Sequence, residues 1–479
     1  MKLNRNIVLG VSLAFILLNC IALTREIFFI PLLSGAFLLL YLLFFRVDIL
    51  IYLMAFITPF SIIIKNNQIN LGLSMPSELI MIALTLLFLF RILYDIKLDR
   101  KILKHPISIV IYFYLIWLLI TSITSEIPIV SFKFLASKIW FIVSSYFVVI
   151  QLIKDDVNNA IKFFNCYAVG LAIIVLITTI RHAGMGFSED SGHWVMSPFY
   201  NDHTAYGAIL AFFLPISIGF FFLPENNKWK KTGYLILSII FIVGFYLSFS
   251  RAAWISFIIA AGVWVVLKLR IKFSWFIVGI SSLFILFYFF SDDLLYKMSR
   301  NSQDSSGNFV EQVQSISNIS TDASNVERIN RWVAAKGMII ERPIVGWGPG
   351  TYQFVYAPFQ KGKYKTIIST NFGTGGNAHS EYIGPWAETG TVGLFVILAL
   401  VILILYYGIR TYIRIKDTKL RLLSLTFSLS LITYFIHGGL NNFLDTDKLS
   451  LPFWASFAVI VVLNSLYLNK NKEEIETLR

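Results

Sequence analysis

Cysteine and charged residues are both scarce in this sequence. Its 479 residues include two cysteines, and only 14% of them are charged, whereas 57% are apolar. Cys20 and Cys166 both lie in apolar runs with no histidine or second cysteine nearby, so neither a disulfide framework nor a cysteine-based metal site is indicated. A soluble core could not use this much apolar surface without exposing it. The composition therefore indicates a polytopic membrane protein.

Common catalytic and nucleotide-binding motifs are also missing. The sequence contains no P-loop, no Rossmann glycine pattern and no HExxH motif, and the connection directly after the first apolar run contains no DxD or ExD pair. The nearest carboxylate pairs are Asp292-Asp293 and Asp445-x-Asp447, and we interpret each as a solvated helix end. We therefore predict a reaction that uses neither a metal ion nor a cofactor.

Apolar runs long enough to cross a membrane recur along the chain, since a span needs about twenty mostly apolar residues. About fourteen are predicted, or twelve if some early short runs are re-entrant. The first is read as a retained helix, because no convincing signal-peptide cleavage site follows it. The runs lie near 7–23, 27–45, 48–64, 77–94, 107–124, 134–153, 158–180, 204–223, 232–249, 252–269, 273–290, 391–410, 420–438 and 450–468.

The basic excess, 40 Lys and Arg against 27 Asp and Glu, is dispersed between apolar runs. This distribution favours cytoplasmic loops of a membrane protein over nucleic-acid binding. With the amino terminus in the cytoplasm, basic connections such as 91–105 and 410–421 fall on the cytoplasmic side. The connections 65–76 and 438–450, which carry few positive charges, then face outward. We therefore expect the long polar segment from about 291 to 385 to lie outside the cytoplasm.

Four regions follow from this pattern. Residues 1–200 form the N-terminal membrane helices, 201–290 the central membrane helices, 291–390 an outer loop with the catalytic motif, and 391–479 the C-terminal membrane helices with a cytoplasmic tail. Within the loop, 299–324 is a polar tract with no assigned role, and 325–342 has the apolar spacing of an amphipathic helix. Pro343 ends that helix, and three glycines form a tight loop after it: Gly346, Gly348 and Gly350.

Three basic residues are candidates for chemistry at the outer face. Arg251 lies at a short joint between two apolar runs, where a charge close to lipid is costly and is usually functional or paired. Arg328 lies on the amphipathic helix, and its neighbour Arg331 is interpreted as part of a solvated face. Two converging guanidinium groups could bind a diphosphate and neutralise it as it leaves. His379, directly before a membrane span, could act as a general base toward a hydroxyl.

A second polar cluster, 201–204, opens the apolar run at Ala205 on the same outer side. Asn201, Asp202 and His203 could line a site. Alternatively, the cluster is a helix cap formed through Asn201, Asp202 or Thr204, and for Thr204 this structural role is the favoured interpretation. The remaining histidines are interpreted as structural or loop residues: His105, His182, His193 and His437.

Four sequence patterns resemble those of the O-antigen ligase family. They are SxSRxxW at 248–254, RxxxW at 328–332, PxxGxGxGxY at 343–352, and His379-Ser380 followed after nine residues by Gly390-x-x-Gly393. The resemblance covers roughly residues 200–410, and the order and outer placement of the patterns make the combination specific.

The resemblance implies an all-α, GT-C-like membrane protein of the bacterial inner membrane with its active site facing the periplasm. It implies transfer of a glycan from undecaprenyl diphosphate to an acceptor hydroxyl, with inversion and without metal. By matching position, His379 would be the base, and Arg251 and Arg328 would bind the diphosphate. Ser380 and Glu388, within or beside the histidine pattern, would line the site.

Several alternatives remain open at this point. An O-antigen ligase would join lipid-linked O-antigen to lipid A–core oligosaccharide, whereas a polymerase would join one lipid-linked repeat unit to another. Protein O-oligosaccharyltransferases share the donor and differ in the acceptor. A transporter or flippase should instead place ionisable groups near the bilayer midplane and show repeats between its halves, and this sequence shows neither.

Overall fold

The computed structural model describes residues 5–25, 29–66, 71–94, 99–271, 323–362 and 376–467. The span expected at 273–290, the pair Asp292-Asp293 and nearly all of the polar tract 299–324 lie outside the described residues. Within them the chain is a bundle of α-helices with one short β-hairpin, as the composition predicts. The prediction of an all-α polytopic membrane protein is confirmed.

Fourteen longer helices are numbered here in chain order. They are α1 (Arg5–Thr24), α2 (Phe29–Phe45), α3 (Val47–Ile57), α4 (Ser77–Tyr94), α5 (Pro106–Ile123), α6 (Pro128–Ile153), α7 (Asn158–Ala183), α8 (His203–Phe221), α9 (Lys228–Tyr246), α10 (Arg251–Lys268), α11 (Ala323–Glu341), α12 (Ile383–Arg414), α13 (Thr418–His437) and α14 (Asp447–Tyr467). Within α6 the segment Val143–Val148 is a π-helical turn. Short helical turns cover Thr58–Phe60, Arg100–Leu103, Glu189–Gly192, Tyr352–Val355 and Ala357–Phe359.

Ten helices of the described part of the chain are long and apolar enough to cross a membrane. The apolar stretches that begin in α1, α2 and α3 are shorter. The central helices α8 and α14 are mostly buried, whereas α9 and α10 are mostly exposed. Exposed apolar side chains such as Phe395 and Ile402 on α12 suit contact with lipid tails. The bundle therefore has a protein-enclosed centre and a lipid-facing perimeter.

Small residues allow the central helices to pack closely. Gly219 of α8 lies directly against Thr426 of α13, where a Cβ atom would overlap the threonine side chain. On α12, the Gly408 carbonyl accepts a 2.8 Å hydrogen bond from the Ser424 hydroxyl of α13. Glycine and serine are enriched at membrane helix contacts because they let backbones approach and satisfy polar groups between helices.

The connection after α3 differs from its sequence interpretation. The apolar run 48–64 was expected to be one span, but helical structure ends at Phe60, and Ile62–Asn66 pairs antiparallel with Leu71–Met75 in a two-stranded hairpin. Backbone groups of a strand need an edge partner, which the hairpin supplies locally.

A buried ionic cluster lies beneath this hairpin. Asp447 and Lys448, the first residues of α14, are almost fully buried. The Asp447 carboxylate accepts hydrogen bonds from the hydroxyls of Ser61 and Ser77, and Lys448 Nζ donates to the Ser61 carbonyl at 2.7 Å. The interpretation of Asp447 as a solvated helix end was therefore wrong, because protein rather than water satisfies its charge.

Candidate functional site

A break in α12 creates the platform on which the glycine loop rests. Gly390 adopts φ 69°, so the helical hydrogen-bond ladder is interrupted and carbonyls of the first turns need other donors. The loop 343–351 supplies them: Trp347 N donates to the Ala387 carbonyl at 3.1 Å, and Gly348 N donates to the Glu388 carbonyl at 2.8 Å. In the opposite direction, Thr391 N donates to the Pro343 carbonyl at 2.8 Å.

The spacing of the motif glycines follows from this close approach. Positive φ angles, which residues with a side chain rarely adopt, occur at four glycines of these motifs: Gly346, Gly348, Gly350 and Gly390. A Cβ atom at Gly346 would overlap the Glu388 backbone, and one at Gly390 would overlap the Ile344 backbone. Gly393 lies one turn further along α12, against the Thr389 side chain.

The segment 376–382 is fixed from one side by α11. Arg331 Nη1 donates to the Asn377 carbonyl at 3.1 Å, and Trp332 Nε1 donates to the Ala378 carbonyl at 3.0 Å. The Asn377 side chain then accepts from His379 N at 3.0 Å. These contacts hold His379 at φ 47°, a conformation that a residue with a side chain seldom takes unless its surroundings impose it.

Arg331 is not on a solvated face, so that interpretation was wrong. Its side chain is 8% exposed and pairs with Glu327, 5% exposed, at 2.7 Å. The Arg331 carbonyl also accepts from the Tyr352 hydroxyl at 2.7 Å. The apolar spacing of α11 could not reveal this, because the glycine loop and the segment 376–378 cover the face that the pattern assigns to water.

Ser380 and Glu381 attach the same segment to α12 and α13. The Ser380 hydroxyl accepts from the backbone N–H groups of Tyr382 and Ile383, which begin α12. Glu381, which the sequence analysis overlooked, accepts from the Tyr434 hydroxyl at 2.5 Å and from the backbone of Phe443 at 2.8 Å. Its position directly after His379-Ser380 was the sequence feature that could have identified Glu381.

Glu388 occupies a supporting position beneath the glycine loop. Its carboxylate accepts from Tyr352 N at 3.0 Å, so it fixes the end of the PxxGxGxGxY pattern to α12. Glu388 also lines a cavity of about 1230 Å³, together with Tyr352, Gly384 and Tyr434.

The polar cluster 201–204 begins α8. Asp202 Oδ1 accepts from Thr204 N, from Ala205 N and from the Thr204 hydroxyl, each within 2.8 Å. Of the three cap candidates the cap is therefore Asp202, and Thr204 has a structural role as one of its donors. Asn201 is exposed, and the His203 ring lies 4.4 Å from the ring of His193. A carboxylate is the stronger acceptor at a helix N-terminus because it also complements the helix dipole.

Charges from four separate segments act on one another at this end of the bundle. The His203 ring experiences the charges of Asp202, Arg251 and Arg328. His379 experiences those of Arg331, Arg328 and Asp202. Arg251 is the first residue of α10, and Arg328 lies on α11. The fold therefore brings Arg251, Arg328, His203 and His379 into one electrostatic neighbourhood.

The ring of His379 is neutral at physiological pH. Burial lowers its pKa to about 4, and the positive charges of Arg331 and Arg328 act in the same direction. A neutral imidazole can accept a proton, whereas an imidazolium cannot. In the described part of the chain, no group of three or more histidine, cysteine or carboxylate side chains is placed to hold a metal ion.

The other histidines serve the framework. His182 is buried at the end of α7 and contacts the Ser188 carbonyl at 2.9 Å. His105 precedes α5 at the end of the bundle opposite His379 and contacts Asn464 at 3.2 Å. His437 ends α13 and contacts Asn441 at 3.2 Å.

Comparison with known proteins bears on the region that contains most of these residues. A family model described as O-antigen ligase matches residues 236–398, about one third of the chain. The matched region runs from α9 to the middle of α12 and includes Arg251, Arg328, His379 and Gly393. A search of curated proteins finds no match. The sequence resemblance is confirmed over residues 236–398, which are similar to the O-antigen ligase family.

Proposed function

We propose that this protein is an O-antigen ligase that transfers a glycan from undecaprenyl diphosphate to a hydroxyl of lipid A–core oligosaccharide. The reaction takes place at the periplasmic face of the bacterial inner membrane, with inversion at the anomeric carbon. The observation that carries this proposal is His379, a neutral imidazole held in a strained backbone conformation beside two arginines. Strain of this kind persists where the surrounding structure imposes it, and such residues cluster at active sites.

In the proposed reaction, the acceptor hydroxyl oxygen attacks the anomeric carbon of the lipid-linked sugar. The bond between that carbon and the diphosphate oxygen breaks, and undecaprenyl diphosphate leaves with the electron pair. His379 takes the proton of the attacking hydroxyl, so charge and atoms balance. General-base assistance of this kind contributes about 10²–10⁴-fold in rate.

Arg251 and Arg328 have the chemistry to bind the diphosphate. Guanidinium groups bind phosphate oxygens in pairs and stay charged at every physiological pH. Their positive charge also stabilises the negative charge that grows on the leaving diphosphate. Because the arginines supply this stabilisation, the proposal requires no metal ion, and transfer should continue unchanged in excess EDTA.

Donor binding would adjust the base. The positive charge of Arg328 is one cause of the low pKa of His379. A bound diphosphate brings negative charge to the same place and offsets that effect, so the pKa of His379 rises toward its usual value. A base of higher pKa accepts a proton more readily, which makes His379 more effective once the donor is in place.

The test is transfer by purified protein in lipid nanodiscs, supplied with undecaprenyl-diphosphate-linked O-antigen and lipid A–core. We expect His379→Ala to lower the transfer rate by about 10²–10⁴-fold. His105→Ala is the matched control, because it removes the same ring at the opposite end of the bundle, and it should retain transfer.

Two results would contradict the proposal. Near wild-type transfer by folded His379→Ala would remove His379 as the base. Elongation of lipid-linked repeats by the wild-type protein, without attachment to lipid A–core, would identify a polymerase instead.

A further inference from the structure

A second cavity, of about 420 Å³, lies against the end of α12 that is far from His379. Its described lining residues all belong to this helix and follow one another at helical spacing, so they form one face of α12. The lining consists of Tyr406, Ile409, Arg410, Ile413 and Arg414. Tyr406, Ile413 and Arg414 are exposed, so this face is turned away from the protein-enclosed centre of the bundle.

The length of α12 places this cavity in the membrane. The helix is interrupted at Gly390, beside the histidine segment, and no charged residue follows until Arg410. At 1.5 Å per residue these two positions are about 30 Å apart, which is the thickness of the hydrocarbon core. Tyr406, one turn before Arg410, has the position that aromatic residues favour at a membrane interface. The cavity therefore lies at the level of the lipid head groups in the leaflet opposite His379.

The two arginines of the cavity have no counter-charge in the described part of the chain. Neither Arg410 nor Arg414 forms an ion pair or a hydrogen bond there, and Arg410 Nε is buried without an acceptor. The guanidinium carbon of Arg410 lies 5.8 Å from the centre of the Tyr406 ring. Arg421, at the same end of the bundle, differs because it donates to the Tyr412 hydroxyl at 3.5 Å.

A bound anion would compensate for this arrangement. Like charges four residues apart on a helix repel each other, and a buried donor without an acceptor is costly. Side chains at this spacing are about 6 Å apart, close enough for both guanidinium groups to bind the charged oxygens of one phosphodiester. Ile409 and Ile413 lie beside the arginines and form an apolar wall.

We propose that this cavity binds an anionic phospholipid, such as phosphatidylglycerol, in the leaflet opposite His379. Arg410 and Arg414 bind its phosphate, and Ile409 and Ile413 contact its acyl chains. A zwitterionic phospholipid fits less well, because its ammonium group brings a third positive charge to a cavity that no described carboxylate lines. This site goes beyond the proposed function and does not depend on it.

The test is lipid binding to the purified protein, measured by native mass spectrometry with phosphatidylglycerol and phosphatidylcholine of identical acyl chains. We expect the wild-type protein to bind phosphatidylglycerol at least about tenfold more tightly. Arg410→Gln and Arg414→Gln should each weaken its binding at least about tenfold, the effect of losing a hydrogen bond to a charged group. Because Arg414 is exposed, its variant keeps the test valid if Arg410→Gln does not fold.

Arg421→Gln is the matched control, since it removes the same charge at the same end of the bundle but outside the cavity. It should bind phosphatidylglycerol as the wild-type protein does. An equal loss in Arg421→Gln would overturn the proposal, because binding would then follow the total charge of this end.

Two other results would also overturn the proposal. The first is equal binding of the two lipids, or unchanged phosphatidylglycerol binding in both cavity variants. The second is displacement of phosphatidylglycerol by an excess of inorganic phosphate, at an ionic strength matched with chloride. The cavity would then be a site for soluble phosphate rather than for a lipid head group.

Discussion

Substitution of Arg331 by methionine tests whether the ion pair with Glu327 holds the histidine segment in place. Methionine keeps most of the apolar stem and removes the charge, so the buried Glu327 carboxylate loses the cation of this ion pair. Both side chains are under 10% exposed, and breaking a pair of this kind costs about 3–5 kcal/mol. The hydrogen bond to the Asn377 carbonyl is lost as well, at about 1 kcal/mol. The segment 376–382 should therefore open more easily.

Amide hydrogen exchange measures this opening directly. At 1.4 kcal/mol for each tenfold change, the combined loss of about 4–6 kcal/mol should accelerate exchange across 376–382 by about 10³–10⁴-fold in Arg331→Met. Adding Glu327→Gln removes the uncompensated charge and should restore at least about 2 kcal/mol. Arg342→Met is the matched control, since Arg342 forms a half-exposed ion pair with Glu126 that contributes about 1 kcal/mol or less. If exchange across 376–382 kept its wild-type rate in Arg331→Met, or rose equally in both arginine variants, the ion pair with Glu327 would not hold this segment in place.

Three further predictions concern the same site. Gly390→Ala should cost about 1–3 kcal/mol from its backbone conformation, plus the overlap with Ile344, and should lower transfer; unchanged melting and activity would contradict the role of the break in α12. Arg251→Lys and Arg328→Lys should each weaken donor use at least tenfold in kcat/KM, because an ammonium cannot form a paired contact with phosphate; donor kinetics that tolerate lysine would exclude such a contact. Only neutral His379 can accept a proton, so kcat/KM, which reports the free enzyme, should fall as the pH drops through about 4. For kcat, which reports the enzyme with donor bound, the fall should occur at higher pH. If both profiles fell at the same pH, bound donor would not raise the pKa of His379.

The membrane helices were predictable because hydropathy alone defines them. Ten helices of the described chain are long and apolar enough to span a membrane, and the amphipathic helix expected at 325–342 is observed at Ala323–Glu341. The tight glycine loop was also predictable, because glycine is the residue that most readily adopts positive φ. These features depend on residues that are neighbours in the sequence, so the sequence alone is enough to predict them.

Burial of charge was not predictable from the same sequence. Arg331 and Asp447 both looked solvated, yet one is covered by a loop and the other by serines more than 350 residues away. Glu381 was overlooked for the same reason, because its partners lie on α13 and beyond. Each depends on a distant segment, and no periodicity within a helix indicates which segment will cover it.

The buried cluster of Asp447 and Lys448 has a consequence for how the protein is made. Its partners Ser61 and Ser77 lie near the first helices, whereas the charged pair begins α14, more than 350 residues later. During synthesis the early helices enter the membrane long before α14 exists, and until then their polar groups face a gap that α14 will fill. Because α14 is almost wholly enclosed, the centre of the described bundle closes only after α14 has been synthesised. A chain truncated before residue 447 would therefore remain open at the centre of the described bundle.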